Sequence, residues 1–549
     1  MKLLFAALHQ GYYRNFESVI EQLAARGHEV FLGHERPDSA IGGQTIVDRL
    51  AGRFPNIRHG HIPEREQETA FLASRLRLGI DYLRYLHPMY TASSGLRPRA
   101  EYRTPRGIVR LARSPVMSFP PARWLAGWCL DAIDRAMPPS PAIEAFLDEQ
   151  KPDLVAVTPL IALGGGSQLD VLRSAQARGI PTAVLVWSWD HLSSKAIIRD
   201  DVDGLFVWNE AQKGEAVRMH GFPSKHIVVT GAQCFDKWFG RTPARPRAEF
   251  LSRAGLPPGR PYVLWVCSAL LPGGPREPDV VLRWARHLRQ SADARVRELP
   301  ILIRPHPSRL ADWEGVDWRS LGHVALFGDN PIDDAARDDY FDSLYHSAAV
   351  VGITTSAFLE AAIADRPVMT VFMEDVRQEH EGSLHFQLLL RFAGGLMTTA
   401  TTLEEHEGQL ASMIEGPPAA VTERQRRFVK AFVRPFGLDV PATDVVVEKL
   451  EEMAAMPSRV RPRQSNAIGR RGLREFEVRE RDPRWHPWFL DERELARDAW
   501  IVEKRRLRDQ ERGRTSREEK DRRREEKDRL REEKDRRREE KLLQKATRR

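Results

Sequence analysis

Cysteine is scarce in this chain. Cys129, Cys234 and Cys267 are scattered through 549 residues with no paired spacing, which argues against a disulfide framework or a cysteine zinc cluster and fits a reducing compartment. Long uncharged runs are missing too. None reaches the roughly 20 apolar residues of a membrane span, so the chain reads as soluble and cytoplasmic, or peripheral at the inner face of a membrane. The opening MKLLFAALHQG has one lysine and no small-residue cleavage site, so it reads as a buried first strand and not a signal peptide. A concentrated surplus of one charge is also lacking. The formal charge is +8, but much of the Lys and Arg lies beyond residue 456, where acidic residues alternate with it, so no nucleic-acid partner is expected. From Arg517 the sequence runs in REEKDRR heptads whose only apolar residues are Leu530, Leu542 and Leu543. That is too few for a coiled-coil seam. Glu518 with Arg522 and Glu519 with Arg523 are favourable i,i+4 pairs. The tail is expected to be a solvated helix or spacer, with protein contacts as its other conceivable use.

What is present is a globular composition, 42% hydrophobic and 30% charged, arranged as a βα rhythm. Lys2 to Leu8 is a continuous apolar strand, His9-Gln10-Gly11 a turn, Asn15 to Arg26 an amphipathic helix and Glu29 to Leu32 a second strand. Ligands of parallel sheets sit beyond the carboxyl ends of the strands, which brings His9, Gly11 and Asn15 to a crevice; His9 reads equally as an ordinary turn histidine. The rhythm fades over residues 37 to 140. Between Arg97 and Arg135 eight arginines face Glu101, Asp131 and Asp134, interleaved with Leu, Val, Phe and Trp. Such a segment can lie on an anionic membrane surface. The favoured reading is a helical insertion packed on its own domain, arginines turned to water.

From Pro152 the rhythm returns. Gly164-Gly165-Gly166-Ser167 allows close backbone approach to a ligand but lacks the lysine of a phosphate loop. Ser188 to Lys195 (SWDHLSSK) is a dense polar cluster after a strand, where sites are built. Arg241 to Arg260 reads as a linker, and a second βα series begins at Tyr262, with Ser268 in its first loop and Arg304-Pro305-His306-Pro307 closing a strand. The expected division is 1–240, a linker at 241–260, a second domain at 261–455, an Arg/Pro-rich linker and helix at 456–502, and the tail at 503–549.

The stretch VVGITTSAFLEAAIADRPVMTVF, residues 350–372, organises the second domain. A strand enters a hydroxyl-rich turn, Thr354-Thr355-Ser356, and then a short helix bearing Glu360. Free turn amides and the positive helix end would make an anion site; hydroxyl caps on an ordinary αβ turn are the plainer reading.

Taken in order, HQGYYRNFES, IPTAVLVWSWDHLSSK, VVTGAQCFDKW, ILIRPHP and GITTSAFLEAAIADRPV resemble the two-domain GT-B glycosyltransferases near the capsular and cell-wall polysaccharide enzymes, similar in layout to UDP-N-acetylglucosamine 2-epimerases and CDP-glycerol glycerophosphotransferases. The resemblance spans roughly residues 1–455. It implies an α/β fold of two Rossmann-like domains facing a cleft. It further implies a nucleotide-sugar donor, UDP-linked, with Glu360 as ribose ligand and Thr354, Thr355, Ser356, Arg304 and His306 about the diphosphate; Ser268 is a further candidate for binding substrate. Many relatives carry glycines where this chain has Thr354 to Ser356, so close backbone approach there is in doubt. A glycan acceptor would face the first domain, where Asp190, His191 and His9 are the candidate bases, Asp190 first. No cofactor beyond the donor is expected. No metal is expected either, because Asp201-Val202-Asp203 precedes a strand where a metal triplet would follow one. Sugar epimerisation, CDP-glycerol transfer and a catalytically inactive scaffold acting through the tail stay open.

Overall fold

The computed structural model describes residues 1–480 apart from 37–41, 92, 94, 161–165, 269, 271–275, 377–379, 381–382 and 463. Gly164, Gly165, Trp485, Trp488 and the heptad tail therefore lie outside the described residues. The chain divides into two units, Met1–Thr104 with Leu111–Phe476, and Pro105–Arg110 with Glu477–Arg549. Both sheets belong to the first.

Uninterrupted apolar runs make the strands. Leu3 to Ala7 are each at most 1% exposed, as a parallel strand covered by helices on both faces requires. The first sheet comprises β1 (Lys2–His9), β2 (Glu29–Arg36), β3 (Ile57–His61), β4 (Leu154–Thr158), β5 (Thr182–Leu185), β6 (Gly204–Val207) and β7 (Ile227–Val229). Its order is β3-β2-β1-β4-β5-β6-β7, and every pairing is parallel, with Leu3 opposite both Val30 and Leu154. The second comprises β8 (Val263–Val266), β9 (Ile301–Arg304), β10 (Val324–Leu326), β11 (Ala349–Val351), β12 (Val368–Val371) and β13 (Thr398–Ala400), in the order β10-β9-β8-β11-β12-β13. Each sheet reverses its order beside its first strand, between β1 and β4 and between β8 and β11. Those are the points where an open parallel sheet leaves a crevice. The fold is thus two Rossmann-like α/β domains, as the resemblance implied.

β3 was not foreseen. Ile57-Arg58-His59-Gly60-His61 has a single apolar residue, and as an edge strand it needs only one. The division of the chain also differs from expectation. Helix Ala442–Ala454 crosses back to the first sheet and places Val446, Val447 and Leu450 in the core with Leu3, Val19 and Ile20. Asp236 secures the crossing. It accepts from Arg434, from the backbone amides of Ala442 and Thr443, and from the Thr443 hydroxyl. Gly231 makes room for it at φ +89°, where a Cβ would stand 2.7 Å from Ala442 Cβ. One apolar core runs through both lobes at the joint, including Trp208, Phe235 and Trp238 with Phe341, Phe358 and Phe432.

The arginine-rich insertion does pack on its own domain, but not with all its arginines in water. Helix Gln67–Arg84 and helix Pro120–Ala136 are fastened to helix Gln168–Ala177 by a buried ion network. Arg77 bridges Asp134 at 2.9 Å and Asp170 at 2.8 Å. Arg65 reaches Asp170 at 3.0 Å. Arg173 bridges Asp134 at 2.7 Å and Asp200 at 2.9 Å, and Arg135 joins Asp131 to Asp200.

Candidate functional site

A cavity of about 590 Å³ lies between the lobes, within the range of small-ligand sites. Its lining comes from segments that follow strands: Arg14 and Asn15 after β1, Trp187 to Asp190 after β5, and Cys234 to Trp238 after β7. From the second lobe come Cys267 after β8, Arg304 to Pro307 at β9, Asp329 to Pro331 after β10 and Thr354 to Ser356 after β11. Seven Lys and Arg side chains line it (Arg14, Arg99, Lys195, Lys237, Arg241, Arg304, Arg337) against Asp190, Asp329 and Glu360. Of these, Lys195, Arg241 and Arg337 are ion-paired with Asp190, Asp338 and Glu17.

Arg304 ends β9 and is only 4% exposed. One guanidinium nitrogen donates to the Asp329 carbonyl at 2.9 Å, and the cation lies over the Tyr340 ring, 4.7 Å from its centroid. Its Nη1 is buried against Gly328, where a Cβ would stand 2.0 Å away, and has no hydrogen-bond partner among the described residues. Burial lowers its pKa. His306 caps the following 3₁₀ turn: its Nδ1 accepts from the Ser308 amide at 3.2 Å and meets the Ser308 hydroxyl at 2.8 Å. That fixes the neutral tautomer with the proton on Nε2, and burial, then Arg309 and Arg14, holds its pKa below the ordinary value. A neutral Nε2–H donor results.

Glu360 lies in the helix Ala357–Ile363 and accepts from the Tyr340 hydroxyl. Burial pushes its carboxyl up to about 7, against the opposing pull of Tyr340, Lys237, Arg14 and Arg304. The helix has only seven residues, and two of the turn amides are already used. The Thr354 amide donates to Ser268 Oγ at 3.2 Å, and the Ala357 amide to Thr355 Oγ1 at 3.3 Å. Two of the amides expected to be free are thus engaged by hydroxyls of Ser268 and Thr355. Thr354, Thr355 and Ser356 do face the cavity. Ser268 stands behind them, 2% exposed, its amide donating to Glu277 at 2.7 Å.

On the first lobe, Asp190 faces the cavity as expected, but its carboxylate is already engaged. Lys195 lies 3.0 Å away, and the hydroxyls of Ser188 and Ser194 donate to it. Burial opposes ionisation, yet Lys195, His385 and Ser188 outweigh it and hold the carboxyl far below the usual range. So acidic a carboxyl has little affinity for a substrate proton while Lys195 stays in place. His191 is 0% exposed and does not line the cavity. Its Nδ1 accepts from the Trp187 amide at 3.3 Å, and burial drives its pKa down to about 3. It supports the Trp187 turn. His9 is likewise absent from the lining and stacks on Tyr12 at 4.2 Å. Gly11 is buried, is absent from the cavity lining and packs against Gly43, on which a Cβ would stand 2.4 Å from the Gly11 amide. Asn15 lines the cavity. Asp201 and Asp203 are spent on structure, the first on His226 at 2.8 Å, the second on the Thr182 and Arg459 amides.

Several lining groups escaped the sequence reading. Lys237 opens into the cavity, and enclosure between the lobes lowers its pKa. Tyr340 comes from the helix Asp334–Tyr345, and His385, edge-on to Trp189 at 4.7 Å, faces the Asp190 cluster from the second lobe. Lys237 and Arg14 both sit in quoted motifs, QCFDKW and HQGYYRN, where their charge was the available signal.

No protein-family model and no curated protein sequence matches the chain. Among solved structures it is similar to a glycosyltransferase from Rickettsia africae, at 10% identity and a TM-score of 0.48 over 83% of this chain and 99% of that one. It is similar also to a UDP-GlcNAc 2-epimerase from Neisseria meningitidis bound to UDP-GlcNAc, at 13% and 0.44 over 82% and 100%. A third similar structure is the UDP-GlcNAc 2-epimerase of Methanocaldococcus jannaschii in complex with UDP-GlcNAc and UDP, at 12% and 0.42 over 82% and 100%.

Proposed function

We propose that the protein is a glycosyltransferase that moves a sugar from a nucleoside diphosphate sugar, UDP-linked, to a surface-glycan acceptor, with inversion and without a metal. The observation that carries this reading is the cavity at the carboxyl ends of both sheets, with Arg14, Lys237 and Arg304 in its lining. In the proposal Arg304, Lys237 and Arg14 neutralise the diphosphate, and the charge that grows on it as the glycosidic bond breaks is met by the same cations. The Nε2–H of His306 donates to the departing diphosphate. Glu360, with Tyr340, accepts from the ribose hydroxyls. Inversion needs a group to take the acceptor's proton. Asp190 stands on the first lobe's wall and acquires that capacity only when Lys195 turns away from it, since the ammonium keeps the carboxylate ionised.

Calorimetric titration with UDP, CDP and their sugar derivatives tests the reading. UDP-sugars are expected to bind, and Arg304→Met is expected to weaken them by about 2–3 kcal/mol, the worth of a hydrogen bond to a charged group. Transfer should persist in EDTA. Failure of every nucleotide to bind overturns the assignment, a preference for CDP redirects it to CDP-glycerol chemistry, and sugar product formed without acceptor marks an epimerase.

A further inference from the structure

Six of the fourteen large hydrophobic side chains exposed among the described residues fall between Tyr102 and Leu125. They are Tyr102 (72% exposed), Leu111 (52%), Val116 (62%), Phe119 (66%), Trp124 (69%) and Leu125 (52%). The local structure explains why they point outward together. Helix Pro120–Ala136 is anchored by its second half, where Leu130, Ile133 and Ala136 pack with Leu72, Leu76 and Leu473. Among the described residues its first half has no such partner. Trp124 stacks on Trp128, one turn along, at 6.5 Å. The turn Pro115–Ser118 is held against the helix start by Arg123, which donates to the Met117 and Ser118 carbonyls at 3.0 Å each. Arg113 pairs with Glu101 and so ties this turn to the helix Leu96–Arg103.

Basic residues outnumber acidic ones in the two segments that carry these side chains. Residues 97–104 and 111–125 contain Arg97, Arg99, Arg103, Arg113 and Arg123, and Glu101 as their only acid. Aromatic and aliphatic tips set among arginines form the chemistry of a surface that lies in the headgroup layer of an anionic bilayer. No helix of the described residues is long and apolar enough to cross a membrane, so contact of this kind would be interfacial. We propose that this face docks the protein onto anionic membrane, with Phe119, Trp124 and Leu125 entering the interface.

The position has a consequence for the site. Helix Leu96–Arg103 lends Leu96 and Arg99 to the cavity wall and exposes Tyr102 toward its other end. At 1.5 Å per residue the two are separated by roughly 10 Å of helix. An acceptor carried by the membrane would therefore meet the cavity mouth as soon as the face docks. This route for the acceptor rests on the glycosyl-transfer reading; the bilayer contact does not.

Co-sedimentation of the full-length protein with phosphatidylcholine vesicles, with and without phosphatidylglycerol, tests it. The protein should pellet with the anionic vesicles and be released by salt. The triple variant Phe119→Ser, Trp124→Ser, Leu125→Ser should lose at least about tenfold in partitioning, with unchanged melting temperature and unchanged UDP-sugar binding. Absence of pelleting, or equal pelleting of the variant, overturns the proposal. So does self-association without lipid that the variant abolishes, which would assign the face to a second copy. Nucleotide binding is read in the same samples, so failure of the membrane contact is distinguishable from failure of the sugar-nucleotide reading.

Discussion

Glu360 is a carboxyl whose ionisation falls in the working range of pH. Its ordinary value is 4.5, and burial raises it to about 7 in the fold. Over that interval the folded state binds more protons than the unfolded one, so this group's contribution to stability falls as pH rises. Ligand binding should move the other way. A ribose hydroxyl donates to the ionised carboxylate, and the diphosphate of a nucleotide sugar carries no titrating proton there. His306 is held below its ordinary value by burial, then by Arg309 and Arg14. UDP-sugar affinity is therefore expected to rise about tenfold between roughly pH 6 and 8, and Glu360→Gln should flatten the profile. Isothermal titration across that range measures both.

At the scale of elements, the insertion depends on its buried charges. Asp170 is 4% exposed and Asp134 1%. Burial works against ionisation of each, but the guanidinium groups around them win and hold both carboxyls below the ordinary range. That contribution is present above the unfolded carboxyl pKa and is lost as pH falls through the folded one. Asp170→Ala leaves Arg65 and Arg77 without their shared partner and is expected to cost about 3–5 kcal/mol, read from urea unfolding. Replacement of an exposed carboxylate such as Glu210, whose side chain is 68% exposed, should change stability by less than about 1 kcal/mol. The same network fixes the helix that projects Phe119 and Trp124, so its rupture should also weaken vesicle binding.

For the whole molecule, the lobes share a core and the return helix Ala442–Ala454, yet their facing walls are lined with cations that repel one another. A polyanion bridging Arg14 and Lys237 on one side to Arg304 on the other relieves that repulsion. Ligand at a hundredfold excess over Kd stabilises the folded state by about 2.7 kcal/mol. A UDP-sugar should therefore raise the melting temperature by a few degrees, and the shift should shrink in Arg304→Met. Thermal scanning over a concentration series provides the check.

How much of this was written in the chain can be judged from particular residues. The continuous apolar runs at Leu3–Ala7 and Ala349–Val351 announce buried parallel strands, because only strands covered on both faces are apolar throughout. Polar clusters immediately after them, SWDHLSSK, RPHP and TTS, announce the crevice, since strand ends are where a parallel sheet leaves room. Local pattern determined that much. It could not show that Asp170 would meet Arg77, 93 residues away, nor that Lys195 would occupy the Asp190 carboxylate. It could not tell that the hydroxyls of Ser268 and Thr355 would engage the amides of Thr354 and Ala357. Those outcomes depend on which loops the closed sheets bring together, and electrostatic partners are chosen by distance in space. Local patterning sufficed for two βα sheets and for the crevices at their strand ends. Tertiary structure decided which cations gather there, which carboxyl keeps a proton near neutrality, and which apolar side chains are left facing outward.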